Sequence, residues 1–154
     1  MVESARIARG EIYNLSQANF KLLDGIIFPG GSGAAMNLCN FAIKKEKCQV
    51  NKDVKKIIQE MHIAKKPQGF ICIAPVLAAK ILGLFHPRLT IGNQESTSII
   101  IEKMGAHHIN TNVDEIVYDS DNNIVSTAAY MLGPTISRVA IGIEKLVQKI
   151  VEVS

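Results

Sequence analysis

Tryptophan is absent from the 154 residues, and aromatic side chains make up only 5% of them. A nucleic-acid surface built on base stacking needs aromatics interleaved with a basic stripe. The chain shows no such stripe, and its formal charge of +3, from 17 basic and 14 acidic residues, reads as scattered. No nucleic-acid partner is therefore expected. Nor does any apolar run reach the roughly 20 residues that cross a bilayer, so no membrane span is expected. Met1-Val2-Glu3-Ser4 lacks the charged-then-apolar layout of a secretory signal. Cysteine is scarce and odd in number: Cys39, Cys48 and Cys72, with no C-x-x-C or zinc-like spacing. That argues against a disulfide framework or a bound metal, and for free thiols in a reducing, intracellular compartment.

What is present is enough for a core: 47% of residues are apolar and 20% charged. The length suits one domain over residues 1–154. Residues 1–22 are polar, mixed and without clear period, which reads as an irregular lead-in with at most one helical turn. Asp24-Gly25-Ile26-Ile27-Phe28 reads as a strand stopped by Pro29-Gly30-Gly31-Ser32-Gly33, with a helix starting over Ala34 to Phe41. Residues 44–49 read as a basic loop. Asn51 is placed to cap a helix carrying Val54, Ile57, Ile58, Met61 and Ala64 at helical spacing, ended by Pro67.

Phe70-Ile71-Cys72-Ile73-Ala74 is apolar on both faces, as a central parallel strand is. Pro75 then suits the first position of a helix running to Gly83. Leu89-Thr90-Ile91 predicts a short strand, and Ser96 to Met104 a helix closed by Gly105. Ile116-Val117-Tyr118 and Ile124-Val125-Ser126 flank Asp119 to Asn123 as a hairpin would, and that turn explains the polar cluster better than a calcium loop does. From near Pro134, residues Ile136, Val139, Ala140, Ile143, Leu146, Val147, Ile150 and Val151 predict the most amphipathic helix of the chain. Strands alternating with helices predict an α/β fold, a mostly parallel sheet covered on both faces.

In open α/β sheets the binding sites lie beyond the carboxyl ends of the strands. Cys72 sits at such an end. A thiol on a strand-to-helix elbow is presented above the sheet, and the N-terminal end of the following helix favours its thiolate. The N–H of Ile73 would face a developing oxyanion, and the Gly30-Gly31 turn would supply a second donor at close approach. The competing reading of Cys72 is a small hydrophobe buried in an apolar strand. Gly30-Gly31-Ser32-Gly33 as a phosphate cradle lacks the following Lys-Ser/Thr pair.

Several stretches resemble the ElbB (sigma cross-reacting protein) family of the ThiJ/PfpI superfamily, a class I glutamine-amidotransferase-like group. They are Glu3 to Ile12, Phe28 to Ala35 with Asn37-Leu38, and Gly69-Phe70-Ile71-Cys72-Ile73-Ala74-Pro75. Leu89-Thr90-Ile91-Gly92, Met104-Gly105-Ala106, and Ile124 to Thr127 with Ala129 to Leu132 complete them. The resemblance covers essentially the whole chain. It implies a flavodoxin-like three-layer sandwich with a reactive cysteine at Cys72. It also implies a first strand and a facing acidic residue upstream of this chain's start, so the sheet is expected to lack that strand.

Ile73 stands where PfpI-type members carry His, and Ala74 where many relatives have Gly. His108 matches a His of ElbB-like sequences and is the candidate base, against a structural role. The function implied is a cofactor-free, thiol-dependent glyoxalase acting on a small carbonyl substrate. The alternative is a catalytically degenerate subunit of a homo-oligomer or larger complex. Glutamine amidotransfer is weaker still, since no His-x-Glu follows at the expected place. The setting implied is the mitochondrial matrix for a eukaryotic protein and the cytoplasm for a bacterial one.

Overall fold

Strand side chains alternate between two faces, and in this chain both faces are apolar. The computed structural model describes residues 2–133 and 135–154. In chain order its helices and strands are α1 (Val2–Ala8), β1 (Ile26–Phe28), α2 (Phe41–Lys44), α3 (Lys52–Ile63), β2 (Gln68–Ile71), α4 (Pro75–Leu82), β3 (Arg88–Leu89), α5 (Glu95–Lys103), β4 (His107–His108), β5 (Val117–Asp119), β6 (Ile124–Thr127) and α6 (Ile136–Glu152).

The main sheet has the order β1-β2-β6-β5. The β1–β2 and β2–β6 pairs are parallel, and β5–β6 is the expected antiparallel hairpin. Strands β3 and β4 form a separate parallel pair. Phe28 and Phe70 lie opposite each other across β1 and β2, and their rings stack at 5.2 Å. They point into the larger core with Ile58, Leu77 and Ile124, beneath α3 and α4. Ile27, Ile71 and Val125 point the other way, onto Leu146 and Ile150 of α6. The result is the expected three-layer, flavodoxin-like α/β arrangement. Among the described residues no strand pairs with the outer edge of β1.

Local signals account for most element ends. The Asn51 side chain accepts hydrogen bonds from the N–H groups of Asp53 (2.9 Å) and Val54 (3.5 Å), capping α3. Pro75 opens α4 at its first turn. Gly105 closes the turn after α5 at φ +100°.

Other stretches differ from expectation. The lead-in contains α1, which buries none of its residues, and two 3₁₀ turns capped by Asn14 and Asn19. The helix expected over Ala34 to Phe41 is a π-helical turn, Ala34–Leu38, and then α2. Extended Cys39, bridged to Val50, interrupts them. The basic loop holds a 3₁₀ turn, Lys45–Lys47. Strand β3 stops at Leu89, and beyond it the Ile91 N–H, on the side facing β4, donates to His108 Nε2 at 3.3 Å instead of continuing the ladder. The last helix is as expected, although Pro134 itself lies outside the described residues.

Asp119 is the buried acid of the hairpin, 1% exposed. Its carboxylate accepts from the Arg88 N–H and Asn122 Nδ2, both at 2.8 Å, and from the N–H groups of Asp121 and Asn122. Burial pushes its pKa up. The bonds from Asn122 and Arg88, with the Arg88 charge, outweigh burial and hold it below the ordinary carboxylate value. A depressed folded-state pKa contributes stability that is present above the unfolded value of about 3.9 and lost as pH falls through the folded value. Asp119→Asn is expected to cost roughly 1.5–3 kcal/mol in urea unfolding at neutral pH. The gap to the wild type should narrow as the pH drops below about 3.9. A gap independent of pH would contradict this role.

Candidate functional site

Strand β2 ends at Ile71, and the chain must turn sharply to enter α4 at Pro75. Cys72 makes that turn at φ +62°, a left-handed conformation that side chains other than glycine rarely adopt. Its N–H donates to the Thr127 carbonyl at 2.9 Å, extending the β2–β6 ladder by one bond. The Ala74 N–H donates to the Ile71 carbonyl at 3.1 Å and closes the elbow. Cys72 is half-buried, whereas Cys39 and Cys48 are buried.

The glycine turn after β1 lies directly against this elbow. A Cβ on Gly30 would stand 2.5 Å from the Ile71 carbonyl oxygen, 2.7 Å from Cys72 Cβ and 2.9 Å from the Ile73 nitrogen. Only glycine lets the two backbones approach this closely. Gly31 follows at φ +89°, and its carbonyl accepts from the N–H groups of Ala34 and Ala35. Among the described residues the N–H groups of Gly30, Gly31 and Ile73 donate to no backbone carbonyl. The fold thus brings Cys72, Ile73, Gly30 and Gly31 together.

The remaining wall is apolar. Cys72 packs against the buried cluster of Val113, Ala129 and Val139, which Ile71, Leu132 and Ile143 also border. Ala129 also has a left-handed backbone, φ +43°, just past the end of β6. Two neighbouring parallel strands therefore each end in an unusual turn at the same spot. Sequence reasoning gave Ala129 no role at the elbow, because alanine carries no signal for a positive φ.

His108 lies on β4, in the separate β3–β4 pair, whereas Cys72 follows β2 of the main sheet. Its Nε2 accepts a hydrogen bond from the Ile91 N–H at 3.3 Å, which leaves the ring proton on Nδ1. Burial pushes its pKa down, against a smaller upward pull from Glu102. The ring is therefore neutral at neutral pH. His86 donates from Nδ1 to the Gly105 carbonyl, and His62 packs on Phe85 at 4.4 Å. Among the described residues no three His, Cys, Asp or Glu side chains gather as metal ligands would, and no helix is long and apolar enough to cross a membrane.

No protein-family model matches the chain. Individual proteins do. The glutamine amidotransferase-like class 1 domain-containing protein 3, mitochondrial, of Homo sapiens is 40% identical over 163 aligned residues, which take in 100% of this chain and 60% of that protein. The chain thus spans 60% of that relative's length. Among solved structures, Drosophila melanogaster DJ-1beta matches with a TM-score of 0.58 at 17% identity, over 90% of this chain and 66% of its own. That is a likeness of fold alone. The crystal structure of an isoprenoid biosynthesis protein with an amidotransferase-like domain from Ehrlichia chaffeensis matches with a TM-score of 0.89 at 33% identity, covering 99% of this chain and 69% of its own. Similarity of that extent, in sequence and backbone together, means that the chain belongs to the glutamine amidotransferase-like class 1 family.

Proposed function

We propose that this is an ElbB-type, ThiJ/PfpI-like domain whose Cys72 thiolate attacks small α-oxoaldehydes. The observation that carries the reading is the left-handed backbone of Cys72 wedged against Gly30. Such a conformation costs roughly 1–3 kcal/mol and gathers at working sites. A cysteine serving only as a buried hydrophobe has no need of it.

The chemistry is a hydration coupled to an internal proton transfer. The sulfur bonds to the aldehyde carbon of a substrate such as methylglyoxal, and the π pair moves to oxygen, giving a hemithioacetal. The N–H of Ile73, with Gly30 and Gly31 beside it, meets that oxygen. A base removes the proton from this carbon, and a proton is returned at the neighbouring carbon. Water then cleaves the thioester, releasing the 2-hydroxy acid and the thiol. One water is consumed, and no oxidant or cofactor takes part.

The base is His108, or a carboxylate from outside residues 1–154. His108 is neutral, as a base must be, but its lone pair is held by Ile91. His108 would have to release that bond to act.

The test is lactate formation from methylglyoxal by the wild type and Cys72→Ala. The expected result is turnover by the wild type and a drop of at least 100-fold in the variant, with unchanged circular dichroism. Equal turnover by both would overturn the reading. Failure of both to turn over would favour the second reading, a subunit of a larger assembly. The outer edge of β1, which no strand pairs among the described residues, and α1, which buries none of its residues, support that alternative, since both leave apolar or hydrogen-bonding surface for another chain to cover. A mitochondrial setting follows the name of the human relative.

A further inference from the structure

Some of the lysines that read as scattered along the sequence border one side of the fold, where Lys55, Lys65 and Lys80 line hollows. Residues 44–66 hold eight lysines against three acidic residues, Glu46, Asp53 and Glu60. Three hollows adjoin on this side. The first, about 560 Å3, opens beside the β5–β6 turn. The second, about 250 Å3, shares His62, Ile63 and Phe85 with it. A third, about 570 Å3, shares Gln59 and Ile81 with the second. Together they make one trench along the outer side of α3 and past the end of α4.

Its apolar contacts are exposed: Ile63 is 80% accessible, Leu84 93% and Phe85 55%. Exposed apolar residues scattered singly need no explanation, but a row of them along a trench marks a site of association. The rim is basic. Lys55 and Lys80 line the third hollow and Lys65 the first, and among the described lining residues Asp121 alone is acidic.

We propose that this trench binds an acidic amphipathic helix of a partner protein. An amphipathic helix lays apolar residues at i, i+3 or i+4 and i+7 into such a groove. Acidic residues flanking that stripe would meet Lys55, Lys65 and Lys80, and complementary charge sets both the choice of partner and the association rate. The chain's own net charge of +3 works against a second copy as the occupant. The trench is also remote from the elbow. Asn123, in the first hollow, precedes β6, whereas Cys72 follows β2, and those strands run parallel with Gln68 opposite Ile124 and Ile71 opposite Thr127.

The test is fluorescence anisotropy with two fluorescein-labelled 18-residue helical peptides. One carries leucine on the apolar stripe and glutamate elsewhere; the other has lysine in place of glutamate. The acidic peptide is expected to bind at least tenfold more tightly, with affinity falling as salt rises. Leu84→Asp should weaken it at least tenfold. The double variant Lys55→Glu/Lys80→Glu should reverse the preference between the peptides. All three side chains are exposed, so the variants should keep the wild-type circular dichroism. No binding, equal affinity for both peptides, or indifference to Leu84→Asp would overturn the proposal. So would tighter binding of phosphatidylserine vesicles than of the acidic peptide, which would put a lipid surface there instead.

Discussion

Gly30→Ala is expected to cost about 3 kcal/mol of stability, near the top of the usual range for overpacking, and to suppress the native-state reactivity of Cys72 at least tenfold. The reason is geometric. The new methyl group would fall 2.5 Å from the Ile71 carbonyl oxygen and 2.7 Å from Cys72 Cβ. Both belong to the elbow rather than to the far end of a flexible side chain, so the strand end or the glycine turn must move. Gly31→Ala separates this clash from backbone conformation. Its methyl group would meet nothing within 4 Å, but the residue sits at φ +89°. It should cost about 1 kcal/mol through backbone strain and leave Cys72 reactive. Urea unfolding and alkylation rates on both variants check the pair. Equal losses of Cys72 reactivity in the two would mean that the close approach of Gly30 does not set the elbow.

Gly83→Ala should be at least as damaging to the fold while sparing the site's chemistry per folded molecule. Gly83 has an ordinary helical backbone, φ −55°, so alanine is conformationally acceptable there. Its Cβ, however, would run into the Met104 carbonyl oxygen. The contact is reciprocal: a Cβ on Gly105 would stand 2.6 Å from the Gly83 carbonyl oxygen. The end of α4 and the turn after α5 thus touch backbone to backbone. A loss of about 3 kcal/mol corresponds to a fall in Tm of roughly 6–12 °C for a chain of this size. A thermal melt within 2 °C of the wild type would mean that the two segments yield easily.

The close approach of Gly30 was legible in the glycine turn after β1, but the sequence hides the importance of Gly83. Gly83 reads as the stop of a helix, which is a local role, while its decisive contact lies some twenty residues further on. Gly142 is plainer still. It sits within the most legible helix of the chain, yet a Cβ there would strike the Val113 carbonyl and stand 2.8 Å from Thr127 Oγ1. Close backbone approach between distant segments leaves no periodicity to read.

The elements that were legible are those whose cause is local. Asn51 caps its own helix, Pro75 opens its own, and the spacing of Val139, Leu146 and Ile150 buries one face of α6. The elbow was legible in its place, at an apolar strand running into Pro75. Its left-handed backbone at Cys72 was not, nor was that at Ala129, because packing from the glycine turn and β6 enforces conformations that neither residue prefers. Likewise, one histidine in a sequence cannot declare its partner. His108 turned out to hold the Ile91 backbone.

A Cys72 presented by the fold as a nucleophile should react ahead of either buried thiol. Native-state alkylation with iodoacetamide at neutral pH, read site by site by mass spectrometry, tests it most directly. Cys39 and Cys48 serve as internal standards: they are 5% and 2% exposed, and burial pushes both thiols up from their ordinary value. Cys72 should be modified first, by at least tenfold in rate, and the other two should react only as the protein unfolds. Labelling of Cys72 no faster than that of Cys39 and Cys48 would contradict it.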